Sequence, residues 1–183
     1  MATAVAALAA APAATAASAP DTAAATSASA VVTLRYDDRQ ARGWEAAIAA
    51  AAASWNTNVE NVHLAKAQPG TRADIQIVAT AGWPQATIGP VRPGGRGRVE
   101  LGGQAVAQGY DKTRIAAHEI GHNLGLPDTK PGPCSQLMSG SAAGTGCKNA
   151  VPDLAEQARV EAFYAYRSAS RVPAGGRLVA DAP

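Results

Sequence analysis

The sequence predicts an α/β (α+β) domain built on a mixed sheet. Two observations carry this. Apolar periodicity switches between two and 3.6 residues in the order β-α-β-β-β-β-α-loop-α. No internal repeat is present, and no run approaches the 18 large apolar residues a transmembrane helix needs.

The elements follow from their residues. Val31 to Tyr36 is β-branched and alternating, a first strand that Asp37-Asp38 closes. From Trp44 to Trp55, Trp44, Ala47, Ile48, Ala51, Ala52 and Trp55 share one helical face, and Asn56 and Asn58 end the helix. Val59 to Leu64 and Ile75 to Val78 read as two short strands. Ala86-Thr87-Ile88, flanked by prolines, reads as an edge strand. Pro93-Gly94-Gly95 is a turn into a strand over Gly97 to Leu101. Asp111 can cap a helix running to about Leu124, where Gly125 stops it with a positive φ. Residues 126–151 lack periodicity and form an irregular loop. Asp153-Leu154-Ala155-Glu156 is a D-x-x-E capping box opening a last helix.

Composition sets the domain limits. Of 46 alanines, 17 lie in residues 1–30, which hold one Leu, one Val, no aromatic residue and no Lys or Arg. This stretch reads as an Ala-rich leader or pro-segment remnant unable to bury enough surface to order itself. Residues 31–170 form the domain and 171–183 a loose tail. A net charge of +2 excludes a nucleic-acid binder held mainly by electrostatics. Cys134 and Cys147 stand 13 residues apart in a Gly/Ser/Pro-rich stretch, either as one bridge across an irregular loop or as two unrelated thiols. A bridge implies an oxidising compartment.

The chemistry concentrates in His118-Glu119-Ile120-Gly121-His122. Residues i and i+4 share a helix face, so both imidazoles reach one metal ion while Glu119 stands beside them as a general base. At this chain's His and Glu frequencies the pattern has about 0.002 chance matches. Zinc in a catalytic site takes a third protein ligand and keeps one position open. Asp128, arriving six residues after His122 and just past Gly125, can supply it. His63, on a short strand away from the motif, reads as an ordinary surface or core histidine.

His118 to Asp128 resembles the H-E-x-x-H-x-x-G-x-x-[HD] pattern of metzincin metallopeptidases. The Asp variant, with Leu124-Gly125-Leu126-Pro127-Asp128 and Gly132-Pro133-Cys134-Ser135-Gln136-Leu137-Met138-Ser139-Gly140, is similar to the snapalysins, small secreted neutral proteinases. The resemblance implies a zincin domain with a twisted mixed sheet, an active-site helix, an irregular Met-turn loop and a C-terminal helix. It implies Zn²⁺ held by His118, His122 and Asp128, Met138 as an apolar floor beneath the metal, a Cys134–Cys147 disulfide and calcium at Asp111 and Thr113. Where the family can place a tyrosine two residues past the third ligand, this chain has Lys130.

The implied function is a secreted zinc endopeptidase, acting as a monomer on protein or peptide substrates, with no nucleic-acid or membrane partner. Glu119 activates the zinc-bound water. The strand near Ala86–Ile88 offers an edge for an extended substrate. Two other classes compete. One is a zinc-binding module that has lost catalysis, against which the intact Glu119 argues. The other is a structural zinc site, which needs four protein ligands where three are in view.

Overall fold

The computed structural model describes residues 30–165 and 177–182, together with residues 1 and 3. The expected leader therefore lies almost wholly outside the described residues. The elements are β1 (Val32–Gln40), α1 (Glu45–Asn58), β2 (Val62–Lys66), β3 (Ile75–Thr80), β4 (Gln85–Thr87), β5 (Gly97–Gly102), α2 (Gly103–Ala107), α3 (Lys112–Asn123), α4 (Leu154–Ala165) and β6 (Leu178–Ala180), with a 3-10 segment over Leu137–Ala143.

The strands form one mixed sheet in the order β2-β1-β3-β5-β4-β6. The β1–β2, β1–β3 and β3–β5 pairs are parallel, and β4 runs antiparallel to both β5 and β6. Leu34, Ile75, Ile77, Val99 and Leu101 alternate inward along the central strands and are fully buried. They belong to one core with Ile48 and Trp55 of α1 and Ile120 of α3. The alanines of both helices let their backbones approach, and Trp55 Nε1 donates to the Ala117 carbonyl at 2.9 Å. That bond anchors α3 one residue before His118.

Several expectations are corrected. β1 continues past Asp37-Asp38 because each carboxylate is neutralised in place. Asp37 accepts from Arg39, and Asp38 accepts from Lys66 Nζ at 2.8 Å. The second strand begins at Val62, since α1 runs to Asn58 and Val59 serves as its C-cap. The short α2 follows β5 directly and has too few residues to show a period in the sequence. The loop after α3 contains the 3-10 segment.

Two further corrections concern the sheet's rim. The expected edge strand β4 is interior, because β6 pairs with it. The tail expected to be loose supplies β6, and its residues 171–176 lie outside the described set. At the opposite rim, the Asn56 side chain closes part of β2: Nδ2 donates to the Leu64 carbonyl at 2.9 Å and Oδ1 accepts from the Leu64 amide at 2.8 Å.

Candidate metal centre

The centre is built on α3, whose N-terminus is capped as the sequence predicts. Asp111 accepts from the Arg114 amide at 2.9 Å. At the other end the chain at Gly89–Val91 meets the helix carbonyls. The Gly89 amide donates to His122 O and the Val91 amide to Asn123 O. Gly89 must be glycine here, since a Cβ would lie 2.1 Å from the Asn123 carbonyl oxygen. Gly125 has the expected positive φ, 108°, and turns the chain back so that Asp128 returns to the helix face.

His118 and His122 are buried, with ring planes at 83° and centroids 4.6 Å apart. Each ring is oriented by a backbone carbonyl. His118 Nδ1 donates to Leu137 O at 3.1 Å, and His122 Nδ1 donates to Leu126 O at 2.7 Å. With a proton held on Nδ1, each Nε2 is aimed inward. Asp128 Oδ1 stands 3.2 Å from His118 Nε2 and 3.6 Å from His122 Nε2. None of these three atoms has a hydrogen-bond partner.

That arrangement fits a metal ion. Tetrahedral zinc with bonds near 2.1 Å holds its ligand atoms about 3.4 Å apart, matching both separations. Two imidazoles and a carboxylate are also a donor set zinc accepts. A second carboxylate cluster overlaps the first: ligand atoms of His118, Glu119 and Asp181 lie within 4.8 Å of one another.

Electrostatics agree with a cation site. Burial disfavours charge on His118, but Asp128, Glu119 and Asp181 outweigh it and hold its pKa near 9. Burial drives His122 down to about 4, aided by His118. Burial also raises Glu119 to about 8, with His118 opposing the rise. Glu119 is fully buried and neither of its carboxylate oxygens has a partner.

The remaining expected residues fall around this core. Met138 is fully buried, and its sulfur lies against Gly121, where a Cβ would come within 2.7 Å. Cys134 and Cys147 are bonded, with Cα atoms 5.5 Å apart. Asp111 serves as a helix cap, and Thr113 is half-buried in the first turn of α3. His63 is exposed on β2. Lys130 does not extend towards open solvent: its Nζ pairs with Asp181 and donates to Ala182 O at 3.0 Å.

Three residues escaped the sequence reading. Arg114, buried on α3, donates to Asn149 O at 2.6 Å, Ser139 Oγ at 2.9 Å and Gln136 O at 3.0 Å, clamping the loop that carries Met138. Glu156 forms the expected capping box with Asp153, and its carboxylate also accepts from the Met138 amide at 2.7 Å and the Leu137 amide at 3.1 Å. Asp181 enters from the tail. A lone arginine on an apolar helix face was a signal for the first. The capping box marked Glu156 but not its second task, and nothing local marked Asp181.

Comparison with known proteins agrees with this geometry. The model of the Streptomyces extracellular neutral proteinase (M7) family matches residues 31–167. An extracellular small neutral protease of Streptomyces coelicolor is 42% identical over 142 residues, covering 78% of this chain and 64% of that protein. One from Streptomyces caespitosus is 41% identical over 134 residues, covering 73% of this chain and 98% of that protein. Among solved structures, high choriolytic enzyme 1, a hatching enzyme zinc-protease of the medaka fish, superposes with a TM-score of 0.50 at 18% identity, covering 75% of this chain and 91% of its own. That likeness is one of fold. With the family model matched across the whole core and the metal centre, the chain belongs to the Streptomyces extracellular neutral proteinase (M7) family.

Proposed function

We propose that the chain is a zinc-dependent endopeptidase that hydrolyses peptide bonds of proteins outside the cell. The observation that carries this is the convergence of His118 Nε2, His122 Nε2 and Asp128 Oδ1, all buried and unpartnered, beside the unpartnered carboxylate of Glu119. These three ligands would hold the zinc. When bound, zinc supplies Lewis-acid chemistry, acidifying a water and polarising the scissile carbonyl. In its ionised form Glu119, whose two oxygens are free of hydrogen bonds, accepts the water's proton and returns it to the leaving amine. Its raised pKa makes it a stronger base for the first step and a ready acid for the second. The carbonyls of Leu137 and Leu126 keep both imidazoles aimed at the same point throughout. Met138 supplies the apolar floor and excludes water from beneath the ligands.

The reading extends to location and partners. The disulfide suits an oxidising compartment. No described helix is long and apolar enough to cross a membrane. We take the protein to be a secreted monomer that acts on proteins or peptides, without nucleic-acid or membrane partners. Calcium at Asp111 and Thr113 has the resemblance as its support, with Asp111 already engaged as a helix cap.

Glu119→Gln keeps its zinc by elemental analysis and loses about 10³-fold in peptide hydrolysis. His118→Ala loses the zinc as well. A Glu119→Gln protein digesting casein at the parent rate overturns the mechanism, and full zinc occupancy in His118→Ala overturns the ligand assignment.

A further inference from the structure

The strand best placed to receive an extended substrate is occupied by the chain's own tail. Gln85, Ala86 and Thr87 of β4 stand in antiparallel register with Ala180, Val179 and Leu178. The ladder continues beyond the strands, with the Asp181 amide donating to Pro84 O at 2.9 Å and the Ile88 amide to Arg177 O at 3.4 Å. This is how an extended peptide adds to a sheet edge.

At the end of that ladder, Asp181 turns its carboxylate into the metal centre. Its Oδ2 lies 3.9 Å from His118 Nε2, and the residue is 6% exposed. Lys130 pairs with the same carboxylate, and the Ser141 amide approaches Oδ1 at 3.3 Å. The cavity beside His118, bordered by Trp83, Tyr110, Ile115 and Asp181, measures about 10 Å³. A cavity of that size holds about one water molecule. Residues 177–182 also lie outside the part of the chain that the family model matches, which ends at residue 167.

We propose that residues 177–182 are a built-in occupant of the substrate strand, which sets the Asp181 carboxylate beside the metal centre and holds the enzyme latent. The inference rests on the zinc endopeptidase reading above. A catalytic zinc site needs one coordination position that substrate can reach, and the tail lies on the strand from which an extended substrate would approach it. The structure brings a side-chain carboxylate of the tail to His118, and Lys130 fixes it there. Lys130 thereby gains a task in this chain: it grips the occupant from the loop that carries Asp128.

Two substitutions in the full-length, zinc-loaded chain test this. Val179→Pro breaks the ladder, because proline cannot donate and fits poorly inside a strand. Asp181→Ala removes the carboxylate beside His118. Zinc release to a colorimetric chelator should be about tenfold faster in Asp181→Ala than in the parent. In a Glu119→Gln background, a peptide hydroxamate should bind about tenfold tighter once Val179→Pro is added, as expected when the open form rises from about a tenth of molecules to nearly all. Both variants should also cleave casein faster than the parent. Unchanged zinc release and unchanged hydroxamate affinity overturn the proposal. If parent and variants cleave casein equally and the two binding readouts do not move, the endopeptidase reading stands and the latent tail falls. If nothing cleaves but both binding readouts shift, the tail's seat on β4 and beside the metal centre stands, while latency falls together with the endopeptidase reading. Should Asp181→Ala fail to fold, the hydroxamate measurement on Val179→Pro decides alone.

Discussion

Arg114 carries a guanidinium into the interior one turn before the metal-centre motif and spends its donors on backbone carbonyls and the Ser139 hydroxyl of a single loop. A buried charge of this kind persists because both terminal nitrogens meet acceptors. Arg114→Met should therefore cost about 3 kcal/mol, since several buried carbonyls lose their partner at once. Urea unfolding would show this, and Arg114→Lys should recover only part of it because an ammonium lacks the planar fork. A loss below about 0.5 kcal/mol would mean that water satisfies those carbonyls instead. At this scale the sequence was most legible where one residue type can do one thing. Two histidines at i and i+4 and an aspartate past a glycine turn could be grouped from spacing alone, and the structure brings their ligand atoms within 4.8 Å of one another. Arg114 and Glu156 were opaque because their work is done on carbonyls and amides some 20 residues away, and spacing carries no trace of that.

Among the elements, β1 shows how a strand survives two consecutive acids. Arg39 donates from its backbone amide and its side chain to Asp37, and this holds the Asp37 carboxyl at about 2, well below its usual 3.8. A folded pKa below the unfolded one adds stability that is complete above about pH 4 and vanishes as pH falls through about 2. Because Arg39 is largely exposed, screening limits the effect to about 1 kcal/mol at neutral pH. Asp37→Asn should thus melt below the parent at pH 7, and the two melting temperatures should converge towards pH 2. A gap that stays constant over that range would assign the loss to packing rather than charge. The strand also shows why boundaries were less legible than elements. Paired acids look like a strand's end in sequence, and only the cross-strand Lys66 and the nearby Arg39 make them part of its middle.

For the molecule as a whole, the proposed zinc would link metal binding to folding. The three ligand atoms are buried without partners, an arrangement costly to the protein until a cation fills it. Zinc at about 1,000 times its dissociation constant should add about 4 kcal/mol to stability. Dialysis against a strong chelator should lower the melting temperature, with recovery on adding zinc back. An identical melt in chelator and in zinc would show that the centre holds no metal in solution. The overall architecture was legible because parallel strands and helices leave distinct periods in the chain. The order of strands at the rim was not. The pairing of β4 with β6 joins residues more than 90 positions apart through three-residue strands, too short for alternation to show.

The Asn56 carboxamide on β2 has a bearing on storage at high concentration. An open sheet edge is a template on which a second copy can stack, and repeated stacking leads to fibres. By pairing with both polar groups of Leu64, Asn56 interrupts that template on one side of the sheet. On the other side the outermost strand is three residues long. A side-chain amide on one rim and a very short strand on the other thus leave little continuous edge for a second copy to extend.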